Sequence, residues 1–137
     1  MIAAARQFLV TTAATGDRTY TELAGGAKEA ETTKWRNGGD VKPQVLAAPP
    51  ETGDVTLKNG FDPERDGPMV STLLRMVGVL RTTIVKVPLH GDMTRIAGAP
   101  PLVYTGCLLR SVKPPESNAN SGDPGTYELV FSVEDVV

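Results

Sequence analysis

At 137 residues, with a hydrophobic fraction of 40% and aromatics at 5%, the chain is long enough to form one domain with its own core. Gly (14) and Pro (11) add a large share of turn and loop without tipping the composition into disorder. Fourteen basic residues against sixteen acidic ones, a net charge of -2, argue against a general nucleic-acid or membrane grip, because both need clustered Lys and Arg.

Residues 6–12 (RQFLVTT) are rich in β-branched and apolar side chains and predict a strand, turned by ATGD. Residues 18–23 (RTYTEL) alternate and predict a second strand with Tyr20 and Leu23 inward. The odd step between those two implies a bulge or bend near Glu22. AGGA breaks the pattern, and residues 28–36 (KEAETTKWR) predict a polar strand with at least one wet face. Over residues 37–54 no period persists. NGGD and TGD are turn clusters, and the prolines of VKPQVLAAPPE exclude a central strand. Val55 and Leu57 in DVTLKNG then mark a short strand closed by Asn59-Gly60.

The one good helix signal is DGPMVSTLLRMVGV, about residues 67–77. Asp66 or Gly67 can cap it, Pro68 sits where a missing N–H costs nothing, and Gly78 is a C-terminal stop. Met69, Val70, Leu73, Leu74 and Val77 recur at helical spacing, a broad apolar face that packs on a sheet. Residues 79–89 predict a strand, 93–97 a brief pairing, and 102–112 a strand bulged or kinked at Gly106. Residues 113–125 form an exposed loop, and in residues 127–133 Tyr127, Leu129, Phe131 and Val133 share one face. The chain is therefore expected to be mainly β: an antiparallel β-barrel or sandwich with one flanking α-helix, in a single domain over residues 1–137.

Chemistry is hard to find in this order. His90 lies in a turn beside Asp92, but no serine or cysteine carries a nucleophile signature. The single cysteine, Cys107, excludes an internal disulfide, sits in an apolar run and is expected to be a buried structural thiol. One His and one Cys cannot assemble a transition-metal site from nitrogen and sulfur ligands. Glu29 and Glu31 alternate on one strand, and Glu128 heads a row toward Ser132 and Glu134, as acid/base pairs could; wet strand faces explain them as well. The Gly-Gly pairs lack the Lys-Ser/Thr and helix of a phosphate cradle. GDPG and ERDGP lack the ligand ladder of a calcium loop. No apolar run approaches the ~20 residues of a membrane span, and the N-terminus lacks the pattern of a signal peptide. No catalytic, metal or cofactor site is expected.

The pieces YTELAGGAKEAETTKWRNGGD, KPQVLAAPP, GDVTLKNGFD and GPMVSTLLRM follow one another over residues 19–77, about the middle half of the chain. This order resembles the bacteriophage tail tube proteins of the contractile-tail type, within the tail tube and Hcp-like tube superfamily. The closing strand YELVFSVEDVV suits that family too. The resemblance implies a structural virion protein, the major tail tube subunit. Six copies would form a ring with a continuous inner β-lining, and stacked rings would form the hollow conduit for genome delivery into the host bacterium. Its implied partners are itself, through ring and stacking contacts, and the tape measure, baseplate or tip, and tail terminator proteins. Double-stranded DNA would pass through the lumen without specific binding. The implied location is the virion tail, assembled in the host cytoplasm, with no membrane anchor and no cofactor. Tubes of contractile injection systems and of type VI secretion share the fold and remain open as readings. So does a monomeric β-barrel that binds a small ligand or peptide.

Strands polar on one face and apolar on the other suit a sheet between a core and an aqueous lumen. A subunit without excess positive charge suits a conduit that must not trap DNA. Residues 37–54 are long for an ordinary connection. They are expected to form an assembly arm, flexible in the free subunit and ordered when it crosses to an adjacent subunit or ring. An ordinary mobile surface loop is the other expectation. The candidate interface residues are Trp35, Arg36, Gly38, Gly39, Val41, Pro43, Val45 and Leu46, with Trp35 and Arg36 as anchors. Plain core packing is the other expectation for Trp35.

Overall fold

The structure, a computed structural model, describes residues 8–12, 16–18, 20, 22–39, 41–89, 96, 98, 100–116 and 125–137. Unbroken alternation of apolar and polar residues builds its centre. In β11 (Thr126–Ser132) the side chains of Tyr127, Leu129 and Phe131 all turn inward and are fully buried. β10 (Leu102–Lys113) lies antiparallel to it, followed by β9 (Arg81–Pro88), β1 (Phe8–Thr12) and the edge strand β2 (Gly16–Arg18). On the other side of β11 run β8 (Val55–Gly60) and then the opposite edge strand, β3 (Glu22–Gly25). A short β12 (Asp135–Val136) continues from β11 and pairs with the first half of β10.

This sheet is antiparallel throughout and curled over its core, a mainly β architecture with one helix. Register shows how the core is built. Leu23, Leu57, Leu129 and Val112 stand opposite one another across β3, β8, β11 and β10. Leu57 and Leu129 are fully buried, and Leu23 and Val112 close the row at its ends. Burial of each such leucine contributes about 2 kcal/mol. The expected irregularity at Gly106 is present: its φ is +63°, and the pairing of β9 with β10 slips between Tyr104 and Cys107. Cys107 is buried there, its Sγ donating to the Tyr104 carbonyl at 3.2 Å, and burial pushes its thiol pKa up.

Several boundaries differ from the sequence expectation. The single strand expected over residues 18–23 is two, β2 and β3, at opposite edges of the sheet; Tyr20 between them is buried as expected. The helix α1 spans Pro63–Arg75 and begins a full turn before residue 67. Asp62, not Asp66 or Gly67, is the N-cap: its Oδ1 accepts from the Glu64 backbone N–H at 3.1 Å, and Pro63 takes the first position. Asp66 is buried inside the first turns, accepting from the Asp62 N–H and from Arg65, each at 3.0 Å. Pro68 therefore lies within the helix, on its exposed side, and Met76 rather than Gly78 ends it. Val70 and Leu73 are buried and Met69 packs beside them, whereas Leu74 and Val77 of the expected stripe are exposed. Val77 falls in the turn after the helix, where helical spacing no longer applies. The loop expected over residues 113–125 starts later, because Lys113 still pairs with Glu128. Residues 93–97, apart from Ile96, and residues 117–124 of that loop lie outside the described residues.

Candidate assembly interface

A second structural unit leaves the sheet at Gly25 and Gly26, both at positive φ (87° and 78°). An added Cβ at Gly25 would overlap the Asp54 carbonyl oxygen, and one at Gly26 would meet the Tyr104 ring at 2.6 Å. Only glycines allow the two chain segments to pass this closely. Beyond them, β4 (Lys28–Glu29) pairs with β7 (Glu51–Thr52), and β5 (Thr32–Trp35) pairs with β6 (Gln44–Ala47). The Ala48 N–H bonds the Glu31 carbonyl at 2.8 Å between the two pairs. Together they make a two-stranded ribbon in which every described residue from 27 to 51 is exposed.

The expected assembly arm over residues 37–54 is thus the returning half of a hairpin whose outgoing half begins at Lys28. The one strand expected over residues 28–36 is two short ones, interrupted at Ala30 and Glu31. Trp35 does not enter the core. It is 57% exposed, with Nε1–H donating to Asn37 Oδ1 at 2.8 Å, so its core-packing expectation fails. Trp35 stands opposite Gln44 and Thr33 opposite Leu46, which puts Trp35 and Leu46 on one ribbon face. Val45, opposite Lys34, lies on the other face. Arg36 follows β5 and Pro43 precedes β6, while Gly38 and Gly39 make the turn, Gly39 at φ +90°. Val41 is 87% exposed. All eight residues singled out from the sequence therefore belong to one exposed ribbon and its turn.

Two backbone bonds join the legs of the ribbon at its base, and an ion pair ties it to the body. Gly26 N–H donates to the Asp54 carbonyl at 3.0 Å, and Gly53 N–H to the Ala27 carbonyl at 2.9 Å. The Lys28 ammonium meets the Asp135 carboxylate at 2.8 Å. Asp54 itself pairs with Arg110 and accepts from Ser132 Oγ at 3.2 Å. A second exposed apolar patch was missed by sequence reasoning. Leu74, Met76, Val77 and Val79, the last 76% exposed, surround the end of α1. The signal for it was available, since Gly78 interrupts the run, but helical spacing assigned two of these residues to the core.

The catalytic alternatives gain no geometry. Glu29, Glu31 and Glu51 line an open cleft of about 730 Å³ where the ribbon bends, together with Ala48 and Pro50. None of the three is buried. His90 and Asp92 lie outside the described residues. No cluster of three potential metal-ligating side chains occurs among the described residues. No described helix is long and apolar enough to cross a membrane.

No family model matches the sequence, and no curated protein matches it. Solved structures do match, over nearly the whole chain. A chain in the anti-feeding prophage baseplate superposes with a TM-score of 0.78 at 17% identity, covering 100% of this chain and 95% of that one. A chain in the sheath-tube complex of an extracellular contractile injection system superposes with a TM-score of 0.79 at 15% identity, covering 99% and 90%. Hcp1 from Flavobacterium johnsoniae gives a TM-score of 0.56 at 13% identity, covering 96% and 93%. The chain has the tail-tube and Hcp-like fold. In this tail-tube fold the curled sheet carries the core, and the ribbon is an outgrowth between β3 and β8.

Proposed function

We propose that this chain is the major tube subunit of a phage tail: a structural, non-enzymatic virion protein assembled in the host cytoplasm into stacked hexameric rings. The stacked rings form the conduit through which the genome enters the bacterium. The observation that carries this reading is the ribbon. A two-stranded ribbon without a covering layer is marginal by itself, yet this one presents Trp35, Val41, Val45 and Leu46 to solvent. Apolar side chains arranged this way gain a role once a neighbouring copy covers them. The likeness to chains of tube-bearing particles supports the same reading. Tape measure, baseplate and terminator proteins would meet the tube at its ends.

A second reading, the tube of a contractile injection particle with a protein cargo, has its own support. The chain from the sheath-tube complex of an extracellular contractile injection system superposes with a TM-score of 0.79, against 0.63 for a chain in the virion of a gene transfer agent. Particles purified from the producing cells separate the two: packaged DNA favours the phage, and its absence the injection machine. Electron microscopy of the purified chain tests the shared claim. Hollow rods are expected from the intact chain, and deletion of residues 41–48 should leave a folded monomer that forms none. A persistent monomer across concentration and salt, or normal rods from the deletion variant, would overturn it.

A further inference from the structure

On the side of the sheet away from the core, one row of residues carries alternating charge. Glu22 of β3 stands opposite Lys58 of β8, Lys58 opposite Glu128 of β11, and Glu128 opposite Lys113 of β10. The neighbouring row, Leu23, Leu57, Leu129 and Val112, points into the core, so the charged row faces the other way. Opposite charges directly across strands attract, and like charges repel. The inner members, Lys58 and Glu128, are half-buried among their neighbours, while Glu22 and Lys113 at the two ends are exposed.

Both ends of this row lie on strand edges that lack a partner strand among the described residues. β3 is the terminal strand of the sheet and pairs only with β8. β10 pairs with β9 only as far as Leu108 opposite Arg81, with Leu109 joined to Leu80 by a 3.0 Å backbone bond. Beyond that point Ser111, Val112 and Lys113 have β11 on one side and no strand on the other. Unpaired strand edges are templates for another chain. The direction also fits. Four alternating antiparallel strands leave β3 running opposite to β10, so β3 of a second copy would continue the sheet antiparallel.

We propose that β3 of one copy pairs with the 111–113 edge of β10 in the next copy, and that Glu22 against Lys113 fixes the register of that pairing. A slip by one residue would set Glu22 against a neutral neighbour and turn the charged row out of line. The contact joins different surfaces of the two copies, so on the tube-subunit reading its repetition carries one continuous sheet around the ring. The row Glu–Lys–Glu–Lys then repeats around that ring without a break in alternation. This inference rests on the tube-subunit reading but adds the residues that set register.

The test uses full-length chains with the end charges exchanged. Glu22→Lys and Lys113→Glu each put like charges at every junction between copies. Each alone should raise the concentration needed for half-maximal assembly roughly tenfold at low salt. The defect should shrink at high salt, where exposed charges are screened. Mixing the two variants should restore assembly, because junctions between unlike copies again oppose Glu to Lys. The double variant E22K/K113E should assemble better than either single variant but short of the original chain, because the new lysine at position 22 then opposes Lys58 and the new glutamate at position 113 opposes Glu128 within each copy. Circular dichroism should show all of them folded, since both end residues are exposed. Wild-type rods together with single variants that assemble normally, or a mixture no better than its components, would overturn the register device and leave the tube reading standing. A wild-type chain that forms no rods would overturn both.

Discussion

Lys28 Nζ lies 2.8 Å from Asp135 Oδ1, an ion pair that spans 107 positions and ties the first strand of the ribbon to the last strand of the sheet. Its first effect is on Asp135. The hydrogen bond from Lys28, then that from the Val136 N–H, lowers the Asp135 carboxyl below its ordinary value. A carboxyl lowered in the folded state contributes above the ordinary Asp value, about pH 3.9, and loses that contribution as pH falls through the folded value. Hydrogen-exchange protection of the Gly26 and Gly53 amides should therefore drop in the acid range below about pH 4. Asp135→Asn should show reduced protection at neutral pH and no acid step.

Two glycines at positive φ should respond differently to alanine. At Gly25 the new Cβ would collide with the Asp54 backbone, which cannot move without breaking the ribbon's base. Gly25→Ala should cost about 3 kcal/mol in a denaturant melt. At Gly106 the obstacle is the exposed Glu134 side chain, which can swing away from its 3.3 Å contact with Arg81. Gly106→Ala should cost only the left-handed backbone strain, about 1 kcal/mol.

Tyr127 is fully buried, and its hydroxyl has no hydrogen-bond partner among the described residues. Its ring meets Tyr20 and Phe61 edge-on at 6.5 and 6.3 Å, contacts that a phenylalanine keeps. Tyr127→Phe should raise unfolding stability by about 1 kcal/mol, because it removes an unsatisfied buried oxygen and leaves the packing intact.

Trp35 is the only tryptophan in the sequence, so its fluorescence reports on the ribbon alone. Emission should be that of a solvated indole in the free subunit and should shift to the blue as rods form. Trp35→Ala should leave thermal stability within about 0.5 kcal/mol of the original, since the side chain packs on nothing in the core. It should weaken assembly at least roughly tenfold.

The sheet was legible in the sequence wherever alternation ran unbroken. Tyr127, Leu129, Phe131 and Val133 occupy the expected face, and Gly106 marks the expected bulge. The helix start was obscured by two competing proline signals, Asp62-Pro63 and Gly67-Pro68. The first wins because Asp62 caps while Asp66 reaches back to its N–H. β6 was hidden for a related reason. Pro43 and Pro49 exclude a central strand, but they flank Gln44–Ala47 and leave room for one edge pairing. Composition shows that Trp35, Val45 and Leu46 favour cover. It does not show that the sheet leaves them exposed, because that depends on β4 to β7 forming sheets separate from the main one.

That separation has a consequence for timing. The buried core contains no residue between Gly26 and Asp54, and the ribbon shares no strand with the sheet that encloses it. The body can collapse and close before any neighbour is encountered. On the proposed tube-subunit reading this uncouples synthesis from polymerisation: finished subunits would wait as folded monomers and be drawn down later, when a nucleus offers their ribbons a surface to settle on.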